Sequence, residues 1–157
     1  MPEKLVIDTN VAISANGVNT HASWACRLAC IELLQDCKNR QIAIDKPGLI
    51  MDEYQRHLSY AGQPGVGDMF FKYLHDNQYS THNILMVNIT PSDDDRKGFT
   101  ELPDNHLDMS DRKFLATAVV AKATLVNATD SDWTEQSGLL DDLGITIKQL
   151  CPEHSCK

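Results

Sequence analysis

Carboxylates recur where short apolar segments end. Asp8 follows Lys4-Leu-Val-Ile7, Asp130 and Asp132 follow Thr124-Leu-Val-Asn127, Asp111 opens an alanine-rich stretch, and Glu53 sits in a helical pattern after Ile42-Ala-Ile44. If these groups converge, they repel one another and hold their protons unless a cation neutralises them. Oxygen-only donors suit Mg²⁺ or Mn²⁺ better than zinc. One or two such ions can hold a phosphodiester, activate a water for in-line attack and stabilise the leaving oxygen. Two would add about four positive charges locally, against a formal net charge of −8 for the chain.

Several assignments within this set have rivals. Asp108 competes with Asp111, but Ser110 before it and the apolar Phe114, Leu115 and Ala118 after it favour Asp111. Asp52 competes with the longer Glu53. Thr9 and Asn10 suit either hydrogen bonding to ligand carboxylates and substrate phosphate or capping of the next helix. Arg112, Lys113 and His106 are candidates for phosphate contact, although exposed basic groups at such a place more often only solvate the surface. Phe70, Phe71 and Tyr73 are spaced for a helix packing face, with base stacking as the second option. Asp93, Asp94 and Asp95 read as a solvated helix cap.

The elements that must position these groups alternate. Strands are expected at 4–7, 42–44, 84–89, 124–127 and 145–150. Between them, helices are expected at 11–15, from a cap at Thr20 or Ser23 through 38, at 49–59, from Asp68, from the 91–95 turn, at 108–123 and at 134–143. In the long helix ending at 38, Trp24, Leu28, Ile31 and Leu34 form the expected core stripe. Residues 61–67, rich in glycine, read as a flexible connector. Alternation of this kind implies a three-layer α/β/α fold with a mainly parallel sheet of four or five strands. In such sheets the working crevice lies at the carboxyl ends of the strands, where Asp8 and Asp130 both fall.

At 157 residues, the chain has room for one domain. Its acidity, 22 Asp plus Glu against 14 Lys plus Arg, opposes non-specific adhesion to nucleic acid or an anionic membrane. There is no run resembling a membrane span or a signal peptide, which points to a cytoplasmic protein. Five cysteines are an odd number, and they lack the density of a secreted disulfide scaffold. Cys26 and Cys30 share a helix face, and Cys151-Pro-Glu-His154-Ser-Cys156 follows the last strand. A small metal cluster joining them is one reading, and buried helix thiols beside a loose tail is the plainer one.

Four segments taken together resemble the ordered acidic motifs of PIN-domain nucleases. They are Leu5-Val-Ile-Asp-Thr-Asn10, Asp52-Glu53-Tyr54, Asp111-Arg-Lys-Phe-Leu-Ala-Thr-Ala118 and Leu125-Val-Asn-Ala-Thr-Asp-Ser-Asp-Trp133. The resemblance runs from about Leu5 to Leu150. It implies a PIN-like nuclease domain over residues 1–150 with a C-terminal tail at 151–157. The implied activity is that of a Mg²⁺- or Mn²⁺-dependent endoribonuclease leaving a 5′-phosphate and a 3′-hydroxyl. Asp8, Glu53, Asp111 and Asp130 would hold the metal, with Asp132 as a further ligand or orienting group and Thr9, Asn10, Thr129, Arg112 and Lys113 in support. Where the family often carries a hydroxyl two residues before the later aspartate, this chain has Ala128, which leaves Asp130 and Asp132 competing for the inner position. Implied partners are an RNA substrate, an antitoxin protein if the chain is a toxin of single-domain PIN type, and a second copy of the chain in a homodimer. The alternatives are a catalytically silent PIN-like protein-binding module and, least favoured, a phosphoacceptor that would want an acidic pair after the first strand and a late lysine.

Overall fold

The computed structural model describes residues 3–18, 20–59, 61, 65–80 and 82–154. Five parallel strands form one sheet in the order β3-β2-β1-β4-β5: β1 Lys4–Ile7, β2 Gln41–Asp45, β3 Ile84–Val87, β4 Thr124–Asn127 and β5 Ile147–Gln149. Leu5, Val6 and Ile7 of the central strand are all buried, as they must be where neither face of the sheet meets water. The fold is α/β, as the alternation predicts. Among the described residues, no helix is long and apolar enough to cross a membrane.

The helices are α1 Thr9–Asn16, α2 Trp24–Gln35, α3 Leu49–His57, α4 Val66–Asn77, α5 Arg112–Ala121, α6 Asp132–Glu135 and α7 Ser137–Asp142. Gly17 ends α1 in the left-handed conformation at φ 74°, where its N–H reaches the Ile13 and Ser14 carbonyls. A Cβ on Gly67 would lie 2.1 Å from the Ala12 carbonyl oxygen, so glycine there lets α4 approach α1. Tyr54 of α3 packs among Phe70, Phe71 and Phe114 with ring centroids 5.9–6.3 Å apart, and its hydroxyl donates to the Ile7 carbonyl. One side chain thereby locks α3, α4 and α5 against the end of β1.

Three expectations are corrected. The core face of α2 is Cys26, Cys30 and Leu34, while Trp24 and Leu28 stand 79% and 56% exposed. No helix starts at 91–95: Asp94 instead accepts from the Arg96 N–H and guanidinium, and Pro91 bridges to Phe99 in an otherwise irregular stretch before α5. The helix expected at 134–143 is two short ones, α6 and α7, broken at Gln136. Much of the 61–67 connector lies outside the described residues, and α4 begins within it at Val66.

Candidate metal centre

Asp8 leaves β1 with extended backbone and caps α1, its Oδ1 accepting from the Asn10 N–H at 3.4 Å. Its other oxygen, Oδ2, accepts from the Trp133 indole N–H at 2.7 Å. Because β4 pairs directly with β1, the loop after β4 arrives beside Asp8; the Asp8 N–H also donates to the Val126 carbonyl at 3.0 Å. Two asparagines shape that loop. Asn10 accepts from the Ala128 and Thr129 N–H groups at 2.9 and 3.2 Å and donates to Asn127 Oδ1 at 2.9 Å. Asn127 in turn donates to the Asp130 carbonyl at 2.8 Å. This amide pair, of which Asn127 is fully buried, thus sets where Asp130 and Asp132 emerge, and the Asp130 carboxylate is steadied by the Asp132 N–H at 2.9 Å.

Asp111 stands immediately before α5 and meets this edge of the sheet. Carboxylate oxygens of Asp8, Asp111 and Asp130 lie within 4.8 Å of one another, and those of Asp108, Asp111 and Asp132 do likewise, so Asp111 belongs to both groups. Asp108, the rival to Asp111 in sequence, is therefore its neighbour in space. Burial raises Asp8 to about 7, helped by the negative Asp130 and Glu53 and opposed by the Trp133 hydrogen bond. Burial likewise raises Asp111 to about 8, with Asp8, Asp130, Asp108 and Asp132 adding repulsion. Asp130 is also raised, first by burial. These are the marks of carboxylates held together against their own charge, the donor set a hard divalent cation fits.

Glu53 is placed differently. Asp45 accepts from the Leu49 and Ile50 N–H groups at 2.8 and 2.9 Å, aiming α3 so that Glu53 comes near Asp8. Its carboxylate, however, accepts from Lys113 Nζ at 2.7 Å and from the Thr9 hydroxyl, and it is not one of the three carboxylates that meet within 4.8 Å. Asp52 is exposed beside it. Arg112 and Lys113, expected at the surface, are buried: Arg112 donates to the Leu107 and Asp95 carbonyls at 3.2 and 2.5 Å, and Lys113 also reaches the Ser110 carbonyl at 2.6 Å. His106 is exposed; Phe70 and Phe71 are core. Sequence reasoning missed Trp133 and Asn127 as organisers of the centre. The available signals were a tryptophan inside an acidic loop and an asparagine closing an otherwise apolar strand.

No family model matches the chain, nor does any curated protein. Among solved structures, it is similar to the crystal structure of VapBC2 from Rickettsia felis bound to a DNA fragment from their promoter, with a TM-score of 0.47 and 15% identity over 93% of this chain and 98% of that one. Fold and centre together define an all-parallel α/β protein with an acidic cluster at the carboxyl ends of β1 and its neighbour β4.

Proposed function

We propose that the chain is a metal-dependent phosphodiester hydrolase of PIN-like type, acting as an endoribonuclease. The supporting observation is the convergence of Asp8, Asp111 and Asp130, from three distant parts of the sequence, within 4.8 Å at one edge of the sheet. These three would hold Mg²⁺ or Mn²⁺, with Asp108 and Asp132 around Asp111 available to a second ion. Bound there, the ion supplies a water activated for attack on phosphorus and positive charge for the leaving 3′-oxygen. Trp133 fixes the rotamer of Asp8, Asn10 and Asn127 fix the loop that carries Asp130, and Lys113 and Thr9 hold the Glu53 carboxylate beside them.

The test is cleavage of end-labelled single-stranded and structured RNA, with matched DNA, in Mn²⁺, Mg²⁺ or EDTA, comparing wild type with Asp111→Asn. Cuts that need metal, fall in RNA, leave 5′-phosphates and vanish in the variant are the expected result. Folded wild type that cuts nothing, or cuts equally well in EDTA, would overturn the reading and favour a protein-binding module.

A further inference from the structure

A second group of ligating side chains gathers where α2 meets the segment following β5, and it shares no residue with the acidic centre. Cys26 and Cys30 are one turn apart on the buried face of α2, and Cys151 comes up against them. Cys26 and Cys151 form a disulfide with a Cα–Cα distance of 4.9 Å. The third sulfur is not accounted for by that bond: Sγ of Cys30 lies within 4.8 Å of both others, and all three residues are buried. A nitrogen of His154 and an oxygen of Glu153 also lie within 4.8 Å of the Cys26 sulfur.

Local structure holds the imidazole there. The His154 N–H donates to the Cys151 carbonyl at 2.9 Å in the 3₁₀ turn Pro152–His154, and the ring stands edge-on to His21 with centroids 5.1 Å apart. Its Nε2 accepts from the Ser23 N–H at 3.4 Å, so in the neutral ring Nε2 holds the lone pair and Nδ1 the proton. Glu153 is already committed to the Ser23 hydroxyl at 2.6 Å. Spacing adds a separate argument. Cys26-x₃-Cys30 and Cys151-x₂-His154 are two short ligand pairs of the kind that clasp zinc, and their donors, three thiols and one imidazole, are those of a closed tetrahedral site. With Zn–S bonds of about 2.3 Å, sulfurs in such a site stand about 3.8 Å apart, so Cys26 and Cys151 must part once their bond is reduced, while Cys30 already lies within 4.8 Å of both.

We propose that, when the Cys26–Cys151 bridge is reduced, Cys26, Cys30, Cys151 and His154 bind one Zn²⁺. Reduction by a small dithiol delivers two electrons and two protons to the bridge, giving two thiols while the dithiol closes to its own disulfide. Zinc then displaces three thiol protons to the buffer and takes electron pairs from three thiolates and from Nε2 of His154, which gives up its hydrogen bond from the Ser23 N–H. Burial alone pushes the Cys30 thiol up to about 12, so without the ion this sulfur stays a neutral, unreactive core group.

The experiment uses the full chain, reduced anaerobically with a phosphine and stripped of metal, then titrated with Co²⁺ and afterwards with Zn²⁺. One equivalent of cobalt should give thiolate-to-cobalt charge transfer and intense tetrahedral bands, which one equivalent of zinc abolishes. Asp111→Asn should leave these bands unchanged, which separates them from the acidic centre. Cys30→Ala should lose them, and His154→Ala, at a half-exposed position that tolerates truncation, should weaken zinc binding at least about tenfold. A folded, reduced chain without thiolate–cobalt absorption overturns the proposal. So does zinc binding unchanged by Cys30→Ala and His154→Ala, or a reduced chain that unfolds and is not refolded by zinc.

Discussion

The indole N–H of Trp133 donates to Asp8 Oδ2 at 2.7 Å, joining a fully buried side chain of α6 to the carboxylate that ends β1. Such a donor both fixes the carboxylate's orientation and favours its charged form. It is the larger of two hydrogen bonds, the other from the Asn10 N–H, that oppose the burial lifting Asp8 to about 7.

Trp133→Phe keeps most of the apolar volume and removes that donor. Asp8 should then hold its proton to higher pH, moving the acid limb of the Mn²⁺-dependent pH–rate profile upward. At about pH 6.5, cleavage should fall roughly tenfold, about one pK unit's worth, with partial recovery at about pH 8.5. A profile superimposable on wild type would detach Trp133 from the centre.

The metal-free protein should lose stability as pH rises. Asp8 at about 7 and Asp111 at about 8 both titrate far above the ordinary carboxylate value of 3.8. Between about pH 4 and 8 the folded chain therefore binds more protons than the unfolded one, and linkage makes unfolding easier with each step upward. Thermal melts in EDTA should show a falling Tm across that window and a flatter profile in Asp111→Asn. Mn²⁺ should raise Tm most at the alkaline end. A metal-free Tm that climbs from pH 5.5 to 8 would contradict the assignment.

Lys113 and Glu53 form an ion pair with side chains only 11% and 12% exposed. Removing one partner strands the other charge, so Lys113→Met should cost about 3 kcal/mol and lower Tm by roughly 6–12 °C. The double variant Lys113→Met/Glu53→Gln should recover part of that loss, and Asp52→Asn, being exposed, should lie close to wild type. Differential scanning fluorimetry on the four proteins decides it; equal effects of the Asp52 and Lys113 changes would show the pair to be energetically idle.

Much of the frame could be read from pattern, because a buried parallel strand is a short apolar run and the groups that follow it share one edge of the sheet. Asp8 and Asp130 were legible for that reason. The face of α2 was not: Trp24 and Leu28 have the same four-residue spacing as Cys26 and Cys30, and a thiol packs as a small apolar group, so two stripes competed. Nor were the roles of Lys113 and Arg112, which look like surface cations until their partners, Glu53 and two backbone carbonyls, arrive from residues 60, 17 and 5 positions away. The cap expected at 91–95 failed because Asp94 satisfies Arg96 locally instead of opening a helix.

The sheet order has a temporal consequence. Strand β1 is pinned early in the chain by β2 on one side, but its other neighbour, β4, and the loop carrying Asp130 come more than a hundred residues later. Until β4 has been made, one edge of β1 lacks its neighbour and Asp8 lacks Asp130 and Trp133. Asp8, Asp111 and Asp130 become one cluster only when β4 docks, so an incomplete chain holds no assembled acidic centre.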